Sequence, residues 1–208
     1  MPPSLARLVA PLALGAALLA ACGSSKEPVK KSPAESKTTQ LQGAVANPPK
    51  PAPPLRLRDS TGKVLDVSGL RGRVVFVTFL YVNCPDVCPL MAGNFHTALA
   101  QLGPRAANVD VVAVSTDPKG DTPKAVNKFL KAHQVTGEMR YLIGSKKELA
   151  RVWKAWGIIS KPDPSAPGKV GHSALTYGIS ASGKITTLYP SNFHPEQIAH
   201  DAPLLAKQ

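Results

Sequence analysis

Several features are scarce or missing in this sequence, and each absence excludes a class of protein. The apolar run from Leu8 to Ala21 has fourteen residues, too few to span a bilayer comfortably. The lysines are scattered and are not interleaved with aromatic residues, which form only 5% of the chain, so nucleic-acid recognition is not expected. No internal repeat is present, which excludes a repeat architecture.

Acidic residues are also scarce, with 13 of them against 25 lysines and arginines, and the formal net charge is +12. A charge of this size affects solubility and association and does not determine the fold. We expect it to favour docking at anionic lipid headgroups or at an acidic partner protein.

The N-terminus carries an export signal. Arg7 precedes the apolar run, as in a signal peptide, which we assign to residues 1–21. The run ends in Leu19-Ala20-Ala21-Cys22, which is the pattern of a bacterial lipoprotein cleavage site. We therefore expect Cys22 to be lipidated and to hold the protein on the extracytoplasmic side of the bacterial cell membrane. The alternative is a buried free cysteine after an ordinary signal.

Residues 22–54 are rich in Ser, Lys, Pro and Gln and have almost no large apolar side chains. Such a segment cannot bury enough apolar surface to offset its ordering entropy, so it is predicted to be a mobile tether that folding does not need. The Pro-rich end, residues 47–54, favours an extended polyproline conformation. Residues 55–208 are then one globular domain of about 150 residues.

The domain pattern predicts an α/β fold with a central mixed sheet and helices on both faces. Two β-branched runs, Val74–Tyr81 and Val109–Ser115, indicate buried strands. Helices are predicted at 89–102, from Pro123, after Ser145 and from Pro195. Further predicted strands are an edge hairpin within 55–67, a strand at 140–143, and a hairpin of strands 173–179 and 184–188. A loop is predicted at 161–168. Cysteines between the first long strand and its helix are typical of a thioredoxin-like fold.

The remaining cysteines, Cys84 and Cys88, form a pair with three intervening residues. At a helix start this spacing places both sulfurs on one side, which suits either one metal ion or a disulfide. Backbone N–H groups there stabilise thiolate, which favours copper binding and redox attack alike. A static disulfide is the structural alternative, although so short a loop constrains little of the unfolded chain.

A cuprous site with two thiolates is completed by one imidazole, and five histidines are available. His96, His133, His194 and His200 fall on or beside helices, whereas His172 is expected in a Gly-preceded loop entering a buried strand. Position alone leaves two readings of His172 open, a metal ligand or a histidine whose hydrogen bonds are satisfied within the domain.

Four segments in this order resemble the Sco/SenC family. They are CPDVCP from Cys84, STDP from Ser115, DTP from Asp121, and His172-Ser173, and the similarity extends over roughly residues 50–206. Proteins of this family are membrane-tethered, thioredoxin-like copper-binding domains. They serve assembly of the dinuclear copper centre of cytochrome c oxidase.

The resemblance implies a function and a set of site residues. Copper, as Cu(I) and Cu(II), would be bound by Cys84, Cys88 and His172, with Asp86, Asp117 and Asp121 around the site. The implied partner is cytochrome c oxidase subunit II or another copper-accepting protein, and we expect a monomer. The family often has Asp directly before the ligand histidine, whereas Gly171 stands here, which removes an acceptor that could orient the ligand.

A metallochaperone performs no turnover of a small molecule, so we do not expect an enzyme. The rival hypothesis is an extracytoplasmic thiol–disulfide oxidoreductase, with Cys84 as nucleophile and Cys88 as resolving thiol. Oxidoreductases of this fold usually space their thiols by two residues, which disfavours that hypothesis. A peroxidase of the same fold would need a Pro shortly upstream of Cys84, and residues 74–83 contain none.

Overall fold

The computed structural model describes residues 39–162, 170–172 and 174–208, with the backbone alone at residues 161, 162, 170 and 172. The predicted signal peptide, Cys22 and the first part of the predicted tether lie outside these residues. Within the described part of the chain, no helix is long and apolar enough to cross a membrane.

The core of the domain is an eight-stranded mixed sheet with the order β1-β10-β9-β4-β5-β6-β2-β3. Strands β4, β5 and β6 are parallel, and every other neighbouring pair is antiparallel. A separate two-stranded ribbon pairs β7 with β8. The strands are β1 Ala44–Pro51, β2 Arg56–Asp59, β3 Val64–Asp66, β4 Val74–Leu80, β5 Val109–Ser115, β6 Met139–Ile143, β7 Ser160–Pro162, β8 Val170–His172, β9 Leu175–Ile179 and β10 Lys184–Pro190.

In the described residues the sheet is covered by four α-helices: α1 Val87–Leu102, α2 Pro123–Ala132, α3 Lys146–Trp156 and α4 Pro195–Leu205. Thr122 accepts a hydrogen bond from the backbone N–H of Ala125 and so caps α2, and Ser145 forms a capping box with Glu148 at the start of α3. Both starts agree with the sequence prediction. Helix α1 begins two residues earlier than predicted, at Val87.

Strand β4 shows why the sheet is covered on both sides. Successive side chains of a strand point to opposite faces, and here every one of them is buried. Phe76 and Leu80 join one apolar cluster with residues of α1, α2 and α4, whereas Val77 and Phe79 join another with residues of α3. The predicted central strand and the mixed sheet with helices on both faces are therefore confirmed.

The parallel strands β4, β5 and β6 end at one edge of the sheet, which we call the carboxyl edge and define by Leu80, Ser115 and Ile143. A hydrogen bond of 2.8 Å from the backbone N–H of Thr116 to the carbonyl of Leu80 ties two of these ends together. The loops that carry the cysteines and the aspartates of the sequence motifs begin here.

The prediction of a mobile tether up to residue 54 is wrong for residues 44–51, which form β1 and pair with β10. Its side chains are nearly all exposed, so its apolar content gave no sign of it. Backbone hydrogen bonds hold the strand instead, helped by Asp201 of α4, which accepts from the N–H groups of Gln42 and Gly43. The domain therefore begins before the predicted residue 55.

The predicted loop at 161–168 is also partly wrong, because Lys161 lies in β7 and pairs with Gly171 of β8. His172 belongs to β8 and not to a loop. The following strand begins at Leu175, two residues later than predicted. Residues 163–168 and Ser173 lie outside the described part of the chain.

Candidate metal centre

The two cysteines lie where β4 passes into α1 at the carboxyl edge. Cys84 is in the connecting loop, where its N–H donates to the carbonyl of Tyr81 at 3.2 Å. Cys88 is the second residue of α1 and is fully buried, while Cys84 is 8% exposed. Both are free thiols. The static disulfide considered above is therefore absent from this structure.

The start of α1 is open toward Cys84. Asp86 precedes the helix but makes no side-chain hydrogen bond to cap it. The sulfur of Cys84 instead accepts hydrogen bonds from the backbone N–H groups of Asp86 and Cys88, and Tyr81 also contributes one. A thiolate is thus stabilised in the way that a capping carboxylate usually is.

These contacts shift the pKa values of the two thiols in opposite directions. The hydrogen bond from the Cys88 thiol, followed by those from the backbone, lowers the pKa of Cys84 to about 5 in spite of burial. The same sulfur–sulfur hydrogen bond, together with burial, raises the pKa of Cys88 well above its ordinary value. At neutral pH the pair therefore holds one thiolate and one proton, which sits on Cys88.

Asp121 lies behind the cysteines and is 4% exposed. Its carboxylate accepts from the backbone N–H of Val82 and from the hydroxyl of Tyr141, both at 2.9 Å. Burial raises the pKa of Asp121 to about 6, although these hydrogen bonds oppose the shift. The negative charge of Asp121 also raises the pKa of Cys88 further. The prediction that Asp121 lies near the cysteines is consistent with this arrangement.

The other two aspartates are more open. Asp86 is exposed, and Asp117 is half-buried in the turn after β5, where its side chain accepts from the N–H of Lys119. Gly120 packs so closely on this turn that a side chain there would collide with Asp117 and Asn83. The loop after β4 therefore approaches the loop after β5 where Asn83 lies beside Gly120.

The backbone of His172 lies near the carboxyl edge. It pairs with Ser160 across the β7–β8 ribbon. The Ser160 hydroxyl donates to the carbonyl of Thr116 at 3.0 Å, and Thr116 is bonded to Leu80 at the end of β4. The ribbon is thus fixed to the carboxyl edge beside the cysteine loop. The side chain of His172 lies outside what the structure describes.

The remaining histidines lie elsewhere. His96 bonds Glu138 at 2.9 Å on the surface, His133 follows α2 against Phe129, His194 precedes α4, and His200 lies within α4 beside Asp201. Among the described side chains, no three His, Cys, Asp or Glu residues converge as a metal site. The described part of the site is therefore the cysteine pair with its aspartates.

Sequence reasoning missed two aromatic residues of the site. Tyr81 ends the long apolar run and contributes a hydrogen bond to Cys84, so its place three residues before the motif could have indicated it. Tyr141 is fully buried in β6 and holds Asp121, but nothing in its sequence surroundings distinguishes it from a core residue.

The fold and the site together define a thioredoxin-like domain with a reduced, buried dithiol at the start of its first long helix. The family model SCO1/SenC matches residues 44–206. The chain belongs to the SCO1/SenC family. The match begins at the first residue of β1, in agreement with the corrected start of the domain.

Relatives agree with this assignment. A SCO1 protein homolog of Bacillus subtilis is 26% identical over 139 residues, which are 65% of this chain and 72% of the relative. The structure of Bradyrhizobium japonicum ScoI with copper bound is 28% identical, with a TM-score of 0.65 over 72% of this chain and 96% of that one. Apo Sco1 of Thermus thermophilus is 26% identical, with a TM-score of 0.68 over 81% and 98%.

Proposed function

We propose that this protein is a membrane-anchored copper metallochaperone that delivers copper to the dinuclear copper centre of cytochrome c oxidase. Cys84, Cys88 and His172 bind the metal as cargo. The observation that carries this proposal is the reduced, buried thiol pair, in which Cys84 is stabilised as a thiolate at the start of α1.

The donor set fits copper better than a hard cation. Thiolates are soft ligands that select Cu(I), and burial limits access of competing water. Cys84 is ready to bind at neutral pH, whereas Cys88 must release its proton when the metal enters. An imidazole from His172, whose strand is fixed at the carboxyl edge, adds the nitrogen ligand that Cu(II) favours.

A titration of both copper oxidation states tests the ligand set. We expect Cys84→Ala and Cys88→Ala each to abolish tight Cu(I) binding, because one thiolate remains. We expect His172→Ala to retain Cu(I) between two thiolates but to lose Cu(II). Binding is measured by competition with chelators of known affinity and by the spectrum of the Cu(II) form.

His96→Ala is the matched control, since this histidine is half-buried on the surface of α1 and bonds Glu138. It should leave both titrations unchanged. Equal Cu(II) binding by His172→Ala and the unaltered protein would remove His172 from the ligand set without touching the cysteine assignment.

The membrane anchor and the recipient are the second part of the proposal. The Leu-Ala-Ala-Cys pattern supports lipidation of Cys22 and a place on the extracytoplasmic face of the bacterial membrane. We expect Cys22→Ser to move the protein to the soluble fraction with unchanged copper affinity. Retention of that variant in washed membranes would show that lipidation is not what holds the chain. A strain without the protein should assemble oxidase whose subunit II lacks copper.

One observation favours a second candidate, a thiol–disulfide oxidoreductase. The Cys84 thiolate beside a protonated Cys88 is suited to attack a target disulfide and to resolve the mixed disulfide. The target leaves as a dithiol, and Cys84 and Cys88 become the disulfide. Rapid reduction of disulfides by a protein that binds no copper in the titration would establish this function instead.

A further inference from the structure

The direction of β1 shows from which side the chain enters the domain. β10 runs parallel to β4, because both pair antiparallel with β9, so β10 ends at the carboxyl edge with Pro190. β1 is antiparallel to β10, with Ala44 opposite Leu188 and Pro51 opposite Lys184. The chain therefore enters β1 from the carboxyl edge, the edge that holds the cysteines.

This entrance is fixed. Both carboxylate oxygens of the buried Asp201 accept from the N–H of Gln42, at 2.9 and 3.0 Å, and one accepts from Gly43 at 2.9 Å. Sixteen residues lie between Cys22 and residue 39, and this stretch spans at most about 60 Å when extended. An acyl group on Cys22 therefore keeps the carboxyl edge within reach of the membrane.

Four exposed lysines, which we call the lysine rim, lie at the same edge: Lys119, Lys124, Lys146 and Lys147. Lys119 lies in the turn after β5, and the other three lie in the first turns of α2 and α3. The turn before α2 and the turn before α3 border one cavity, lined among others by Pro118, Thr122 and Gly144. The four lysines thus lie on or next to the turns that border this cavity.

A contribution to the stability of the fold does not explain why the four lysines lie at these positions. A positive charge in the first turn of a helix opposes the helix dipole. The first turn of α2 has no acidic residue, and the one in α3, Glu148, is engaged by Ser145. Across the described part of the chain, none of the four lysines forms an ion pair. Asp86, Asp117 and the buried Asp121 are the acidic groups on the adjacent loops; Asp117 accepts from a backbone N–H, and Asp121 accepts from Val82 and Tyr141.

We propose that the carboxyl edge docks against an anionic phospholipid surface, through the chain entrance at β1 and the lysine rim beyond β5. The inference deepens the proposed function, since it rests on attachment of the chain to a membrane at Cys22. A lipid surface is favoured over an acidic protein because the chain enters at this very edge. In sheet order the cysteine loop lies between the two attachments, so docking shelters the thiols. Salt screens the attraction, which keeps docking reversible.

The test uses the chain from residue 22 onward with Cys22→Ser, so that no acyl group contributes to binding. Sedimentation with vesicles of phosphatidylglycerol and phosphatidylcholine is compared with sedimentation with phosphatidylcholine alone. We expect salt-sensitive binding to the anionic vesicles only. Each lysine near such a surface contributes roughly a fivefold factor, and two of the four in contact already give about 25-fold, so changing all four rim lysines to Gln should weaken binding by well over about tenfold.

The matched control changes Lys131, Lys154, Lys184 and Lys207 to Gln, which removes the same charge from exposed positions at the opposite edge. This variant should lose much less binding, and anionic vesicles should slow alkylation of Cys84 in it but not in the rim variant. Equal loss in both variants, or alkylation unaffected by vesicles, would overturn the proposal. The proposal would also be overturned if the protein did not bind vesicles but bound polyglutamate through the rim lysines. That result would assign the lysine rim to binding of an acidic protein. Copper binding of the rim variant in solution should be unchanged, so this outcome and that of the copper titration are read separately.

Discussion

Cys84 and Cys88 have the same side chain, yet their surroundings move their pKa values in opposite directions. The difference comes from their place at the start of α1, where Cys84 receives N–H groups and the thiol hydrogen while Cys88 is enclosed by the core. Only Cys84 therefore carries charge before a metal or a disulfide arrives.

The first prediction concerns this coupling. Cys88→Ala removes the largest stabilising contact of the Cys84 thiolate, so the pKa of Cys84 should rise from about 5 toward its ordinary value of 9.0. A depressed pKa stabilises the fold above the unfolded value and loses that effect as pH falls through the folded value. The contribution of the thiolate to the stability of the unaltered protein should therefore be lost progressively as the pH falls from about 9 to about 5, whereas Cys88→Ala should lose less over a narrower range. The measurement is ultraviolet thiolate absorbance against pH, with urea unfolding alongside.

Cys84→Ala serves as the control, because Cys88 alone remains buried and should show no thiolate near neutral pH. An unchanged titration of Cys84 in the Cys88→Ala protein would mean that backbone N–H groups alone set its acidity.

Single residues were predictable where their chemistry is rare. The cysteine spacing and the aspartates of the STDP and DTP segments led directly to the residues that the structure groups at the carboxyl edge. Tyr141 was not predictable, because its role depends on β6 lying beside β5, where its hydroxyl meets Asp121. Such a contact depends on the tertiary fold, and a sequence pattern does not contain it.

Among the elements, β1 and α4 depend on each other through Asp201. This carboxylate is fully buried and accepts from Tyr189 at 2.7 Å as well as from the two N–H groups that precede β1. Helix α4 in turn packs on α1, and Phe193, just before α4, lies 5.0 Å from Phe95 of α1 between ring centres. The entrance of the chain is thus connected by packing to the helix that carries Cys88.

The second prediction is that Asp201→Asn releases the entrance of β1. Hydrogen bonds to a charged group contribute roughly 1.5–3 kcal/mol each, and several weaken together, so the free energy of unfolding should fall by about 2–4 kcal/mol. Amide exchange at Gln42 and Gly43 should accelerate, as measured by NMR.

Glu196→Gln in the same helix is exposed and should change neither measurement appreciably. If Asp201→Asn were as stable as the unaltered protein, with slow exchange at Gln42, the carboxylate would not be what holds β1.

Elements with a strong pattern were predicted within about two residues, notably β4, β5, α2 and α3. β1 was missed because its prolines and its exposed side chains are typical of a tether. β7 and β8 were missed because three-residue strands have too few side chains to show alternation. In each case the backbone hydrogen bonds of a partner strand form the element.

On the scale of the whole molecule, the domain includes the residues just before β1, because Leu41 packs on the core and Gln42 and Gly43 bond Asp201. The third prediction compares chains that begin at residue 39 and at residue 52. The first should unfold like the chain from residue 22, whereas the second lacks β1 and leaves Asp201 buried without its backbone donors. Its free energy of unfolding should be lower by about 3 kcal/mol or more. Urea unfolding measures both.

This expectation reverses the one drawn from composition, under which all residues up to 54 are dispensable. Equal stability of the chain from residue 52 would restore that view and show that β1 adds nothing to the fold. The two chains share the cysteine loop, so copper binding should persist in whatever fraction remains folded.

The prolines of β1 have a consequence for the behaviour of the protein at high concentration. β1 is an outer strand of the sheet, and Pro48, Pro49 and Pro51 have no N–H to offer to another strand. The opposite outer strand, β3, is only three residues long. Neither side of the sheet is a good template for strand addition, so the domain is protected against edge-to-edge aggregation when its concentration is high.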